Sequence, residues 1–168
     1  FIPEFGPIVA MMQFNMYHSY TVDEHTIQCI RNLAQIERGE LIEELPIASS
    51  ILKEGLNRKV IYVALLLHDI GKGRTEDHSV IGAQIERKVA SRLGFNKADV
   101  DTVEWLVRYH LLMSDLAQKR DIADPRTLRD FVKAVHTLKR LDLLTVLTVC
   151  DIRAVGPNTW NNWKAVLI

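Results

Sequence analysis

The chain has 168 residues, of which 48% are hydrophobic and 25% charged, and this composition is typical of a single globular domain. The 21 Lys and Arg balance 21 Asp and Glu, which disfavours a DNA or RNA partner because nucleic-acid binding usually brings a basic excess. The longest apolar run, residues 60–67, is far shorter than the roughly 20 residues that span a bilayer, so we expect no membrane partner.

The two cysteines, Cys29 and Cys150, lie far apart and form no CxxC pair. We interpret them as reduced, buried thiols, and expect a cytoplasmic protein. The chain does not begin with Met. We therefore expect residues 1–168 to be one domain excised from a longer multidomain protein.

The first part of the chain predicts a short lead-in segment, residues 1–20, followed by a helix. The pattern from Thr21 to Glu24 has the form of a capping box, in which the Thr21 side chain accepts from the backbone of Glu24 and Glu24 reaches back. The helix is expected to run to about Glu37 and to end before Gly39.

The next segments predict an irregular or helical connection over residues 46–55 and a helix over residues 57–68. The second of these is apolar nearly all round, which places it in the centre of a bundle. Gly71 and Gly73 are expected to end it.

Four further helices are predicted by start and stop signals and by apolar spacing. They run from about Asp77 to Gly94, from Asn96 towards His110, from Asp124-Pro125 to about His136, and from Leu138 to Val155. A tail, residues 158–168, carries Trp160 and Trp163, which either pack on the bundle or contact a partner. The fold class we predict is all-α, a bundle of about seven helices.

Histidines and aspartates interrupt this apolar pattern at several helix ends. His68-Asp69 follows the most apolar helix, and Asp151 lies within the last one. Carboxylates are rarely buried unless they are paired or bind a metal. Imidazole and carboxylate together suit a divalent ion, and bundles build such sites from several helices. The further candidates are His25, His78 and His110.

Each of these residues alone has an ordinary structural explanation. A histidine near a helix end is common, Asp151 has Arg153 or a neighbouring basic residue as an ion-pair partner, and Lys72 suits the carboxyl end of a helix. Only the order of these residues along the chain, taken together, indicates a function.

That set, H…HD…H…H…D with the phrase HDIGK at residues 68–72, resembles the HD superfamily of metal-dependent phosphohydrolases. The resemblance implies a first divalent metal held by His25, His68, Asp69 and Asp151. It implies a second metal for which Asp69 is a bridge, with His78 and His110 as the other ligands. The catalytic residues it implies are Asp69, Lys72, His78 and His110. Mn²⁺ is the metal we favour, with Mg²⁺, Fe²⁺ and Zn²⁺ as alternatives.

Four phrases, at residues 12–18, 20–26, 110–114 and 151–157, are similar to the uridylyl-removing branch of this superfamily. No Gly-Tyr-Pro follows HDIGK, which disfavours the cyclic-di-GMP phosphodiesterase branch. The resemblance implies a substrate, the uridylylated PII nitrogen-regulatory protein, and a product, UMP. It also implies nucleotidyltransferase and ACT domains that these residues do not contain.

The implied reaction is hydrolysis of the phosphodiester between UMP and a tyrosine. The leaving phenolate has an unperturbed pKa of roughly 10, so a dedicated general acid is not required. His18, His78 or His110 is the candidate acid where the second metal is absent. Some dinuclear relatives carry two adjacent histidines where this chain has Tyr109-His110, and we expect the second metal position to be weak or to fill only with substrate.

Two other functions remain open at the level of sequence. An HD enzyme acting on a small nucleotide would use the same metal ligands, and assay with free nucleotides separates it from the uridylyl-removing reading. A catalytically silent HD module for sensing or scaffolding would have no need of a complete ligand set, and elemental analysis would identify it.

Overall fold

The computed structural model describes residues 2–13, 20–119 and 123–156. These ranges contain a short 3-10 helix, Pro3–Ile8, eight α-helices and no strand. The α-helices are α1 (Val22–Glu37), α2 (Pro46–Glu54), α3 (Arg58–Leu67), α4 (His78–Arg92), α5 (Lys97–Arg108), α6 (Leu112–Lys119), α7 (Pro125–Val135) and α8 (Leu138–Arg153). The predicted all-α bundle is confirmed. His18, Trp160 and Trp163 lie outside the described residues.

Helix α3 lies at the centre of the bundle because it is apolar nearly all round. It contacts α1, α4, α5 and α8, and its buried side chains include Ile61, Leu65 and Leu67. Full burial of each such side chain stabilises the fold by about 1.5–3 kcal/mol. The residues that follow α3 therefore begin deep inside the molecule. None of the described helices is both long and apolar enough to cross a membrane.

Most predicted helix starts are confirmed by side-chain caps. Asn57 accepts a hydrogen bond from the Val60 amide, and Asp77 accepts from the Ser79 amide at 2.9 Å. Asn96 caps α5 and Asp124 caps α7 in the same way. These caps satisfy amides that have no partner within the helix.

The predicted capping box at Thr21 is wrong. The Thr21 hydroxyl donates instead to the Asp23 carboxylate at 2.7 Å, and the first turn of α1 has no side-chain cap from Thr21. Glu24 accepts from the Gln28 side chain one turn further along and does not reach back. The Asp23 carboxylate is a stronger acceptor than a hydroxyl oxygen because it is charged, and it attracts the nearby backbone amides of Asp23 and Glu24.

Three other helices differ from the sequence prediction. Residues 46–54, for which the sequence allows an irregular or a helical connection, form α2, and α6 has no predicted counterpart. Helix α8 ends at Arg153, two residues before the predicted end. The stop comes from the Ala154 amide, which bonds back to the carbonyl oxygens of Cys150 and Asp151.

Gly71 allows α4 to approach the turn after α3 more closely than any other residue would. A Cβ at Gly71 would lie 2.8 Å from the Gly82 amide nitrogen and nearer still to the His78 carbonyl oxygen. A Cβ on Gly82 would in turn lie 3.2 Å from the side chain of Val107 on α5. This glycine pair brings the first turn of α4, with His78, against the residues that follow α3.

Glu86 is a buried carboxyl between α4 and α5, and neither of its oxygens has a hydrogen-bond partner. Burial, with a smaller contribution from the Glu104 carboxylate, raises its pKa to about 8. In the unfolded chain it titrates near 4.5. The folded carboxyl therefore keeps its proton between pH 4.5 and about 8 while the unfolded one loses it, so this group lowers stability as pH rises through that window.

We expect Glu86→Gln to be more stable than the parent protein at pH 9, by about 1–3 kcal/mol, and to be similar at pH 4.5. Urea denaturation at the two pH values measures the difference. Glu54→Gln, on the exposed end of α2, is the matched control and should change neither value. Equal stability of Glu86→Gln and the parent at pH 9 would contradict the raised pKa of Glu86.

Candidate metal centre

Five elements bring the predicted site residues to one place. His25 comes from the first turn of α1, His68 and Asp69 from the turn after α3, and Asp151 from α8. His78 is the first residue of α4, and His110 follows α5. His25, His68, Asp69 and His110 are buried, whereas His78 and Asp151 are partly exposed.

The first group of donors surrounds Asp151. The Nε2 atom of His25 lies 2.8 Å from Asp151 Oδ1, and the Nε2 atom of His68 lies 3.4 Å from the same oxygen. Asp69 Oδ2 lies 3.3 Å from His68 Nε2 and 3.7 Å from His25 Nε2. Two imidazoles and two carboxylates thus converge on one small volume.

Asp69 also faces a second group of donors with its other oxygen. Its Oδ1 atom lies 3.6 Å from His110 Nε2 and 3.8 Å from His78 Nε2, and these two nitrogens are 3.3 Å apart. Because Oδ2 faces the first group and Oδ1 the second, the single Asp69 carboxylate lies between them.

Backbone carbonyls fix the direction of three of these imidazoles. Nδ1 of His68 lies 2.6 Å from the Leu65 carbonyl oxygen, Nδ1 of His110 lies 2.7 Å from that of Val107, and Nδ1 of His25 lies 3.0 Å from that of Ala154. A carbonyl oxygen can only accept, so each Nδ1 carries a proton and each Nε2 points into the cluster. This outer hydrogen bond is the usual way in which a metal-binding histidine is oriented.

Positive charge from neighbouring side chains keeps the carboxylates of the cluster ionised. Burial alone would raise the pKa of Asp69, but His68, His110 and Lys72 hold it well below its usual range. Burial alone would lower the pKa of His25, but the hydrogen bond with Asp151 raises it to about 10. His68 Nε2 is buried without a hydrogen-bond partner although carboxylate oxygens lie 3.3 and 3.4 Å away. A donor set of this kind fits a divalent ion.

Lys72 places a second cation beside this cluster. Its Nζ atom lies 3.3 Å from Asp69 Oδ2 and donates a hydrogen bond to Gln13 Oε1 at 2.7 Å. Gln13 in turn donates to the Tyr20 carbonyl oxygen. The Lys72 side chain is about one fifth exposed, so its ammonium group faces both the cluster and solvent.

His78 differs from the other imidazoles in being open to solvent. Burial and the neighbouring His110 lower its pKa, so it is neutral at pH 7. A neutral imidazole is the form that binds a metal or accepts a proton.

Tyr109 and Arg153, considered above as neighbours of the site, have other partners. The Tyr109 ring packs against Trp105 and Arg108 of its own helix. Arg153 pairs with Glu44, so the predicted pairing of Asp151 with Arg153 is wrong. Asp151 contacts His25 and His68 instead.

Two residues near the cluster were missed in the sequence. Gln13, which accepts a hydrogen bond from Lys72, lies in the phrase at residues 12–18, but nothing in that phrase indicates a contact with Lys72. Cys29 lies with its Sγ atom 3.5 Å from His25 Nε2. Its spacing of four residues from His25 on a predicted helix was a signal for this contact.

The fold and this cluster define an HD domain. The HD domain family model matches residues 22–150, most of the chain, and the chain belongs to that family. The match contains five of the six clustered residues and ends one residue before Asp151.

The chain is also similar to bifunctional uridylyltransferase/uridylyl-removing enzymes along its whole length. It is 82% identical to the enzyme of Ruegeria pomeroyi, 76% to that of Cereibacter sphaeroides and 55% to that of Azospirillum brasilense. In each comparison all 168 residues are matched and span 18% of the relative.

Proposed function

We propose that this domain hydrolyses the phosphodiester between UMP and a tyrosine of the uridylylated PII protein, in the cytoplasm, as a divalent-metal-dependent phosphohydrolase. The observation that carries the proposal is the convergence of six side chains that can bind a metal, with Asp69 between the two groups, in a chain highly similar to enzymes named for uridylyl removal.

His25, His68, Asp69 and Asp151 would hold the first ion, and Asp69 Oδ1 with His78 and His110 would hold the second. Mn²⁺ is the ion we favour for this nitrogen and oxygen donor set, ahead of Mg²⁺, Fe²⁺ and Zn²⁺. When bound, such an ion supplies positive charge to the phosphoryl oxygens and makes hydroxide available at neutral pH.

The chain's own side chains have three tasks in this proposal. Asp69 fixes the separation of the two donor groups, because one oxygen faces each. Lys72 offsets the negative charge of the phosphodiester as it grows during attack. His78, neutral and open to solvent, is placed to accept or pass a proton where it does not bind an ion.

Release of UMP from uridylylated PII in the presence of Mn²⁺ tests the proposal directly. We expect release with this substrate and little with a panel of free nucleotides under the same conditions. Hydrolysis of free nucleotides alone would assign the domain to the small-nucleotide alternative. No hydrolysis, with no metal bound to the purified protein, would assign it to the silent module.

Lys72→Ala should slow hydrolysis by roughly 10- to 1,000-fold while Mn²⁺ affinity changes little, because one electrostatic stabiliser is removed but no ligand is. Initial rates of UMP release and a Mn²⁺ titration measure the two quantities. Lys133→Ala, on the exposed face of α7, is the control. An unchanged rate in Lys72→Ala would restrict Lys72 to its structural contact with Gln13.

A further inference from the structure

Cys29 faces the first donor group from within the core. It lies one helical turn after His25 on α1, and residues four apart on a helix share a face. The side chain is fully buried, and its Sγ atom is 3.5 Å from His25 Nε2. The thiol therefore lies beside an atom already assigned to metal binding.

The geometry of the group is compatible with one ion that all four donors share. Ligand atoms of His25, Cys29, His68 and Asp151 all lie within 4.8 Å of one another. Neighbouring ligands of one ion with bonds of roughly 2.0–2.3 Å lie roughly 2.8–3.8 Å apart, with the lower values in five-coordinate geometry and the upper values in four-coordinate geometry. The separations between Cys29 and His25, between His68 and Asp151, and between His25 and Asp151 are 3.5, 3.4 and 2.8 Å and fall in that range.

His68 provides an independent sign that this volume takes a ligand. The residue is fully buried, its Nδ1 atom is held by the Leu65 carbonyl oxygen, and its Nε2 atom has no hydrogen-bond partner. The unpartnered nitrogen belongs to the same group of donors as the Cys29 sulfur.

We propose that the Cys29 sulfur is a direct ligand of the ion held by His25, His68, Asp69 and Asp151, so that this position prefers thiophilic ions such as Zn²⁺ and Fe²⁺. The inference rests on the metal site of the proposed function. On binding, the thiol proton leaves to solvent, the sulfur lone pair forms the bond to the ion, and no oxidation state changes.

A difference between the two donor groups follows from this ligand. The first position contains sulfur as well as nitrogen and oxygen, whereas the second, formed by Asp69, His78 and His110, offers only nitrogen and oxygen. Thiolate selects softer ions, and carboxylate with imidazole accepts harder ones such as Mn²⁺. The two positions would therefore prefer different metals.

Cobalt titration followed by absorption spectroscopy tests the ligand, because Co²⁺ reports its own binding through visible d–d bands and bound thiolate through a near-ultraviolet charge-transfer band. In the parent chain we expect both sets of bands. Cys29→Ser should keep the d–d bands, lose the charge-transfer band and bind Co²⁺ roughly tenfold or more weakly. Cys150→Ser is the matched control, since Cys150 is also buried and free, and should behave as the parent.

Each other outcome overturns the proposal in a distinguishable way. Visible bands without a charge-transfer band in the parent would exclude Cys29 as a ligand and leave the metal site intact. A charge-transfer band that survives Cys29→Ser but is lost in Cys150→Ser would show that Cys150, and not Cys29, is the sulfur ligand. Absence of all cobalt bands in the parent chain would exclude both the metal site of the proposed function and Cys29 as its ligand. Cys29→Ala, checked for helical content by circular dichroism, replaces Cys29→Ser where serine prevents folding.

Discussion

Asp69→Asn should lower the rate of UMP release by about 1,000-fold or more while leaving a helical protein. Asparagine keeps the shape of the side chain but removes its charge and replaces one of the two donor oxygens by an amide nitrogen that can only donate. Because Asp69 Oδ2 faces His25 and His68 while Oδ1 faces His78 and His110, one substitution disturbs both donor groups. The measurement is the initial rate with uridylylated PII and saturating Mn²⁺.

Asp101→Asn is the matched control for this experiment, because Asp101 is an aspartate on the outer face of α5 that pairs with Arg87. It should hydrolyse the substrate at the parent rate. Circular dichroism of both variants verifies that helical content is retained. A rate in Asp69→Asn close to that of Asp101→Asn would exclude Asp69 from the reaction.

Gly71→Ala adds a single methyl group, and we expect it to lower both the stability of the protein and the rate of UMP release. The added carbon would collide with the backbone of α4 at His78 and Gly82, which are not free to move as a side-chain tip would be. Such overpacking typically costs about 1–3 kcal/mol. The displaced α4 carries His78 away from Asp69, and a shift of about 1 Å at a catalytic group can lower the rate roughly 100-fold.

Gly6→Ala provides the comparison for Gly71→Ala, since a Cβ there meets nothing within 4 Å. In urea denaturation and in assays of UMP release, Gly71→Ala should be less stable and slower than Gly6→Ala. Similar stability and similar rates in the two variants would show that α4 adjusts without consequence, and that the close approach at Gly71 is unimportant for the site.

The sequence predicted the helices best where a cap and an apolar stripe agree. Asn57, Asp77 and Asn96 are caps that the structure retains. The capping box at Thr21 is wrong because the Asp23 carboxylate, a stronger acceptor than the Thr21 hydroxyl oxygen, attracts the same backbone amides, and the motif does not include that residue. Helix α6 was missed because its eight residues follow His110 after only one intervening residue, without a recognisable cap.

Six residues that cluster in the structure are visible in the sequence, but the geometry of the cluster is not. The order of His68, Asp69 and Asp151 along the chain is visible in the sequence, whereas the division of Asp69 into two oxygens with different neighbours requires coordinates. Gln13 was not predictable because its contact with Lys72 joins residues 59 positions apart. The close approach of the Gly71 and Gly82 backbones was not predictable either, because the sequence pattern indicates only that Gly71 ends a helix.

Calorimetric titration of the parent chain and Asp69→Asn with Mn²⁺ tests the central claim most directly, namely that a buried cage of imidazoles and carboxylates binds a divalent ion. We predict saturable binding by the parent chain, and binding weakened by at least about 100-fold when Asp69 loses its charge. Failure of the parent chain to bind Mn²⁺, or equal affinity in the two proteins, would contradict the claim.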